Sequence, residues 1–135
     1  SLPYNTVRVY KACPFVASCS PCFLAALEAS GTEEERQGRF IDGGTVIAEE
    51  GKPSRSLYIV HRGAVKVLRK SVLVKTLKSG DYFGELGMIG MVGHHGATYK
   101  ASTMCHIFEI RGIVFAKVSL AFPTEGRDFR RKVLR

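Results

Sequence analysis

The 135 residues are 45% hydrophobic, 24% charged and 10% aromatic, which excludes a disordered chain and suffices for one domain with a real core. No apolar run approaches the roughly 20 residues of a membrane helix, and the opening Ser1–Lys11 lacks a signal-peptide core. The chain therefore reads as a soluble piece, compatible with excision from a membrane protein at a loop. Its formal charge of +8, from 20 Lys and Arg against 12 Asp and Glu, favours anionic partners.

Val7 to Phe15 has room for one or two helical turns, broken at Pro14. Ser20 is placed to cap a helix with Pro21 at its first position. Phe23, Leu24 and Leu27 make one apolar face and Gly31 ends the segment, which predicts a helix over 21–30. The same residues lie within Cys19-Ser20-Pro21-Cys22. A zinc site built on that pair would draw on Cys105 and His106, which lack the CxxC spacing. Cys13, Cys19, Cys22 and Cys105 are instead expected to be buried, reduced thiols of an intracellular protein, rather than a metal or redox centre.

From Arg36 the pattern changes. Short stretches rich in Val, Ile, Tyr and Phe fall at 38–41, 45–49, 57–61, 64–69, 72–77, 81–84, 97–102 and 105–110. Asp42-Gly43-Gly44, Gly51, Gly63, Gly80 and the glycine-rich tract 84–96 separate them. Many short strands with regular turn signals predict a sandwich or barrel. Val65 and Val67 alternate with Lys66 and Leu68, so one strand face is expected inside and the other wet. After Ile110 the period becomes helical, with Phe115, Val118 and Phe122 on one face. Pro123 and Gly126 are expected to interrupt it, and a second helix to begin near Arg127 with Phe129, Val133 and Leu134 as its apolar residues. From Arg111 onward seven basic residues face two acidic ones, a pattern that also fits a solvated helix face.

Residues 83–96, FGELGMIGMVGHHG, are too long and too glycine-rich for a tight turn, and long loops within compact domains are usually functional. Gly84 and Gly87 would let the backbone approach a ligand closely. Glu85 and Leu86 can start a short helix through Gly87, Met88 and Ile89. N–H groups at a helix start suit a phosphate, and the Glu85 carboxylate suits a ribose hydroxyl. Together these describe a nucleotide pocket, although the motif by itself is equally that of an ordinary glycine-rich turn.

A longer series of motifs resembles the cyclic-nucleotide-binding domain family. Pro14-Phe15 and Phe23-Leu24-Ala25-Ala26-Leu27 resemble its N-terminal helices. Gly44-Thr-Val-Ile, Glu50-Gly51, Ser56-Leu57-Tyr58-Ile59-Val60, Gly63-Ala-Val-Lys-Val and Gly80-Asp-Tyr-Phe-Gly-Glu-Leu follow in the family's order and close to its spacing. Ala101-Ser-Thr103-Met-Cys105-His-Ile-Phe108, then Phe115, Val118 and Phe122-Pro123, is similar to the cytoplasmic domains of cyclic-nucleotide-gated and related cation channels. Protein kinase regulatory subunits share most of this core, whereas the transcription-factor branch needs a helix-turn-helix that these residues do not contain.

The resemblance implies a mainly β fold with flanking helices: an eight-stranded antiparallel β-roll, jelly-roll-like, over about 36–110, helices over about 5–30, and C-terminal helices over about 111–135, all one domain spanning 1–135. It implies a phosphate-binding cassette starting at Gly84, with backbone contacts near Gly84, Leu86 and Gly87 and a ribose contact from Glu85. It also implies an arginine on the cyclic phosphate, just before a small pair that Ala97-Thr98 matches. Here the arginine position is His95, followed by Gly96, and His94 makes the loop one residue longer. Losing such a charged hydrogen bond costs about 1.5–3 kcal/mol, roughly tenfold to more than a hundredfold in affinity. A histidine, mostly neutral near pH 7, recovers only part of that. Gly96 lacks the hydroxyl that accompanies cyclic GMP preference.

The expected function is a regulatory module binding cyclic AMP or cyclic GMP, with no other cofactor. The expected host is a cation channel, with the domain on its cytoplasmic side and the C-terminal helices closing as a lid over the ligand. The alternatives are a degenerate domain of the same fold that binds proteins instead, and a kinase regulatory subunit. The expected partners are the nucleotide and the rest of a larger protein, with self-association left open. Nucleic acid is not expected, since few aromatics interleave the basic C-terminus. An enzyme is not expected either. His61, His94, His95 and His106 form no His-x-His followed by Glu, and no nucleophile–base pair is visible. His94 and His95 also read as a solvated loop tip, and His61 and His106 as strand residues.

Overall fold

Ser20 sets the first long helix: its hydroxyl oxygen accepts the Phe23 N–H at 3.2 Å, and Pro21 stands where no N–H is needed. The resulting α2 runs Pro21–Ser30, as its sequence predicts. The structure, a computed structural model, describes residues 6–14 and 16–134; the first five residues, Phe15 and Arg135, on which parts of the sequence reading drew, lie outside the described residues. Before α2, α1 spans Thr6–Ala12. After it comes a helix the hydrophobic pattern does not predict, α3 (Glu33–Gln37). None of its residues is buried, so there is no apolar period to read. Its visible signal is Thr32-x-x-Glu35, which forms a reciprocal capping box.

Eight strands follow: β1 (Arg39–Ile41), β2 (Val46–Ala48), β3 (Ser56–Arg62), β4 (Val65–Arg69), β5 (Val72–Leu77), β6 (Tyr82–Phe83), β7 (Thr98–Ala101) and β8 (Cys105–Arg111). Each lies within one residue of its predicted limits. A short helix, α4 (Glu85–Met88), joins β6 to the β7 approach. The strands form two antiparallel four-stranded sheets, ordered β1-β8-β3-β6 and β2-β7-β4-β5, with helices flanking them: the predicted mainly β roll.

The alternation expected of the strands holds for β4 but not for β3 or β8. These two are covered on both faces, as in a three-layer packing. Leu57, Ile59, Phe108 and Ile110 pack towards the helices with Phe23, Leu24, Phe115 and Phe129. Val60 and Ile107 pack into the roll with Val65, Val67, Leu77, Phe83 and Ala101. β5 departs the other way, since five of its six residues are exposed.

The C-terminal helices are α5 (Gly112–Ala121) and α6 (Pro123–Val133). The expected interruption at Pro123 and Gly126 is corrected: Pro123 opens α6 in its first turn, four residues before the start expected at Arg127, and Gly126 is buried inside the helix. The thiols also differ from expectation. None is in a disulfide, but only Cys13 and Cys105 are buried, while Cys19 is half-buried and Cys22 exposed. Burial, reinforced by Glu125 and opposed by Lys132, pushes the Cys19 thiol up to about 11, which keeps it protonated. No described helix is long and apolar enough to cross a membrane.

Candidate ligand-binding site

The tract 84–96 owes its shape to contacts with the start of β3. Gly84 has φ 86°, and a Cβ there would lie 2.2 Å from the Ser56 carbonyl oxygen. A Cβ on Gly87 would lie 2.1 Å from Ser54 Oγ and 2.5 Å from the Ser54 carbonyl oxygen. The two glycines therefore let α4 lie directly on the backbone of residues 54–56. The close approach that the sequence suggested is made to the protein's own strand.

The rest of the tract is also tied down. Ser54 N–H donates to Gly93 O (2.9 Å), His95 N–H to Lys52 O (2.9 Å) and Gly51 N–H to His95 O (2.9 Å), and Pro53 and His94 form an antiparallel bridge. This short ladder holds two neighbouring histidines of different burial: His94 is exposed, whereas His95 is 8% exposed. His95 is thus not part of a solvated loop tip. His61 lies on β3 and His106 on β8, as expected.

Between α4 and the inner face of the β2-β7-β4-β5 sheet is a cavity of about 340 Å³. From the cassette side Gly84, Glu85, Leu86, Gly87, His94 and His95 line it. Tyr58, Phe83 and Tyr99 make a ring stack beside it, with centroids 5.0 Å and 3.9 Å apart, and His95 meets Tyr99 edge-on at 5.9 Å. Two residues matched to the small pair are not among its lining. Ala97 is 2% exposed and packs between the sheets. Thr98 accepts the Glu50 N–H through its hydroxyl at 3.0 Å, joining the residue 49–52 turn to β7.

Burial lowers the His95 pKa from the ordinary imidazole value and so favours the neutral ring over the cation. The Tyr99 phenol is raised, first by burial and then by Glu85, while Arg69 lowers it. Tyr82 is likewise raised by burial and then by Glu85. The cavity lining thus combines the Glu85 carboxylate, the Arg69 guanidinium and the Tyr99 phenol.

Sequence reasoning missed Arg69, Lys75, Tyr82 and Tyr99, all of which line the cavity. A signal for the first two was present. The parity that puts Val65 and Val67 inside also carries Arg69 inward, and the parity of Leu77 carries Lys75. No residue of α5 or α6 lines this cavity among those described. α6 reaches the cassette from outside, where an Arg130 guanidinium N–H donates to Ile89 O at 3.0 Å. Among the described residues no cluster of three or more metal-ligating side chains occurs.

A family profile described as "Cyclic nucleotide-binding domain" matches residues 39–120. The potassium/sodium hyperpolarization-activated cyclic nucleotide-gated channel 2 of Mus musculus is 27% identical over 126 residues, which is 93% of this chain and 14% of the channel. The chain therefore spans about a seventh of the curated relatives it matches. A putative cyclic nucleotide-binding protein from Geobacter metallireducens superposes with a TM-score of 0.78 at 19% identity, covering 97% of this chain and 93% of that one. The C-linker/CNBHD of zELK channels, crystallized in the presence of cAMP, superposes with a TM-score of 0.74 at 21% identity, covering 90% of this chain and 60% of that one. At these identities the structural matches establish the fold.

Proposed function

This chain belongs to the cyclic nucleotide-binding domain family, and we propose that it is a regulatory module, not a catalyst, that takes a cyclic nucleotide into the cavity beneath α4 and relays occupancy to α5 and α6. The observation that carries the reading is the cassette itself. Glu85, Leu86 and Gly87 of α4 border a cavity of about 340 Å³, and the far end of the same helix is hydrogen-bonded to α6 through Ile89 and Arg130. A ligand that shifts α4 therefore acts directly on the C-terminal helix. Because α6 stands outside the cavity, lid closure would be a movement away from the geometry described. The proposed host is a cation channel, with the module on the cytoplasmic side; similarity over 93% of the chain to a cyclic nucleotide-gated channel supports this.

Calorimetric titration with cyclic AMP and cyclic GMP, with His95→Arg alongside, tests the reading. Micromolar binding by the wild-type chain supports a working sensor. Binding by His95→Arg alone indicates an intact pocket altered at one position. Absence of binding in both favours the second reading, an interaction domain that has lost its ligand. The buried, uncharged His95 at the arginine position motivates that reading.

A further inference from the structure

The cassette brings no permanent positive charge to the cavity. The fixed cations among its described lining residues are Arg69 and Lys75, both on the opposite wall. Val67 and Lys75 are directly paired across β4 and β5, and Arg69 follows Val67 by two residues on the inner face. An inward lysine on an edge strand is a recognised guard against edge pairing, which would account for Lys75 on β5. It does not account for Arg69, because β4 is paired on both sides, to β5 and to β7.

Arg69 is also held in position. The turn after it, Lys70-Ser71, has both residues at positive φ (48° and 68°), the geometry of a tight two-residue hairpin. The Lys70 N–H donates to the Glu50 carboxylate at 3.0 Å, and the Glu50 N–H donates to Thr98 Oγ1 at 3.0 Å. The hairpin tip is thereby anchored to the start of β7. Tyr99, next along β7, lines the same cavity as Glu85 and Arg69.

We infer that Arg69 and Lys75 are the anion-binding residues of this cavity: they receive the phosphate of a bound nucleotide on the β4–β5 wall, while Glu85 accepts a hydrogen bond from its ribose hydroxyl. The inference rests on the proposed nucleotide-binding function and relocates the phosphate from the cassette to the facing sheet. It explains how the pocket retains charge complementarity although its cassette carries a neutral histidine. Guanidinium and ammonium groups at a phosphate are charge-assisted donors, and their partial exposure makes the contact salt-sensitive.

The test is calorimetric titration of the wild-type chain, Arg69→Gln, Lys75→Gln, the double variant and Lys66→Gln, an exposed β4 cation outside the cavity lining, with cyclic AMP, cyclic GMP and adenosine 5′-monophosphate, at low and high salt. The expected result is about tenfold weaker binding for each wall variant, a greater loss for the double variant, a flattened salt dependence, and less than about a twofold change for Lys66→Gln. Unchanged melting temperatures exclude unfolding, since both wall residues are exposed. Wild-type binding of a cyclic nucleotide with unchanged affinity in the double variant overturns the inference and leaves the functional reading standing. Binding of adenosine 5′-monophosphate alone, weakened by Arg69→Gln, supports the anion site and overturns the cyclic-nucleotide reading; unweakened, it overturns both. No binding of any of the three also overturns both.

Discussion

The Glu125 carboxylate on α6 accepts two hydrogen bonds from Ser20, one from its N–H at 3.1 Å and one from its hydroxyl at 2.6 Å. The same Ser20 hydroxyl oxygen caps α2 by accepting the Phe23 N–H. One side chain thus holds the start of the N-terminal helix and the start of the last helix together, 105 residues apart in sequence. Glu125→Ala is expected to destabilise the fold by about 1–2 kcal/mol, because it strips a charged acceptor from two partly buried donors. In a double-mutant cycle with Ser20→Ala the losses should be less than additive. Denaturant midpoints at constant slope provide the measurement. Additivity would mean that the clamp carries no coupling.

Arg130→Gln tests the second attachment of α6, its donor to Ile89 O at the end of the cassette helix. Arg130 is exposed, so global stability should fall by less than about 1 kcal/mol. Hydrogen exchange in α6 and around Ile89 should nevertheless accelerate together. Acceleration in α6 alone would show that the two are not coupled through this contact.

Gly87→Ala should be severe for so small a change. The added carbon would overlap Ser54, so either α4 lifts off β3 or the strand start shifts. About 2 kcal/mol or more of stability should be lost, with ligand affinity reduced as well. A melting temperature equal to wild type would show that the cassette helix does not depend on this close contact.

The hairpin after Arg69 can be improved. Lys70 and Ser71 occupy left-handed backbone without being glycine or asparagine. Lys70→Asn with Ser71→Gly should raise stability by about 1 kcal/mol by relieving that strain, readable as a higher melting temperature.

Glu35 provides a pH test. Burial alone would raise its pKa, but the Arg111 guanidinium, bonded at 2.8 Å and 3.1 Å, together with the Thr32 contacts, outweighs burial and holds the carboxyl below its ordinary 4.5. A carboxyl with a depressed folded-state pKa binds fewer protons folded than unfolded just below that value. Its stabilising contribution is therefore complete above 4.5 and is lost as pH falls through the lower, folded-state value. Wild type should be more stable than Glu35→Gln at pH 7, and the gap should shrink on acidification below 4.5. A gap independent of pH would mean that the Arg111 pairing adds nothing.

The strands were legible in the sequence because glycine turns bound short Val- and Ile-rich runs, and a local signal suffices to delimit a strand. α3 was not, because five exposed residues carry no period. Pro123 and Gly126 misled for a related reason: sequence shows that proline and glycine disfavour a helix interior, but not that one occupies the first turn and the other a crowded packing site. The cassette was readable from its glycines, yet what those glycines touch is a strand 30 residues earlier, a tertiary fact. Arg69 and Lys75 escaped notice because charged strand residues are ordinarily read as solvent-facing. The strand parity that puts Arg69 on the face of Val65 and Val67 was there to read, but it runs against that habit.

The ladder between residues 51–54 and 93–95 gives the loop a reading frame. Strand-like pairing alternates faces, so removing one residue before position 95 would move its imidazole from the buried position to the exposed one, while removing two would restore the buried position. A change of two residues in this loop thus keeps the same residue at the buried position. A single-residue step rewrites the pocket without altering any side chain by substitution.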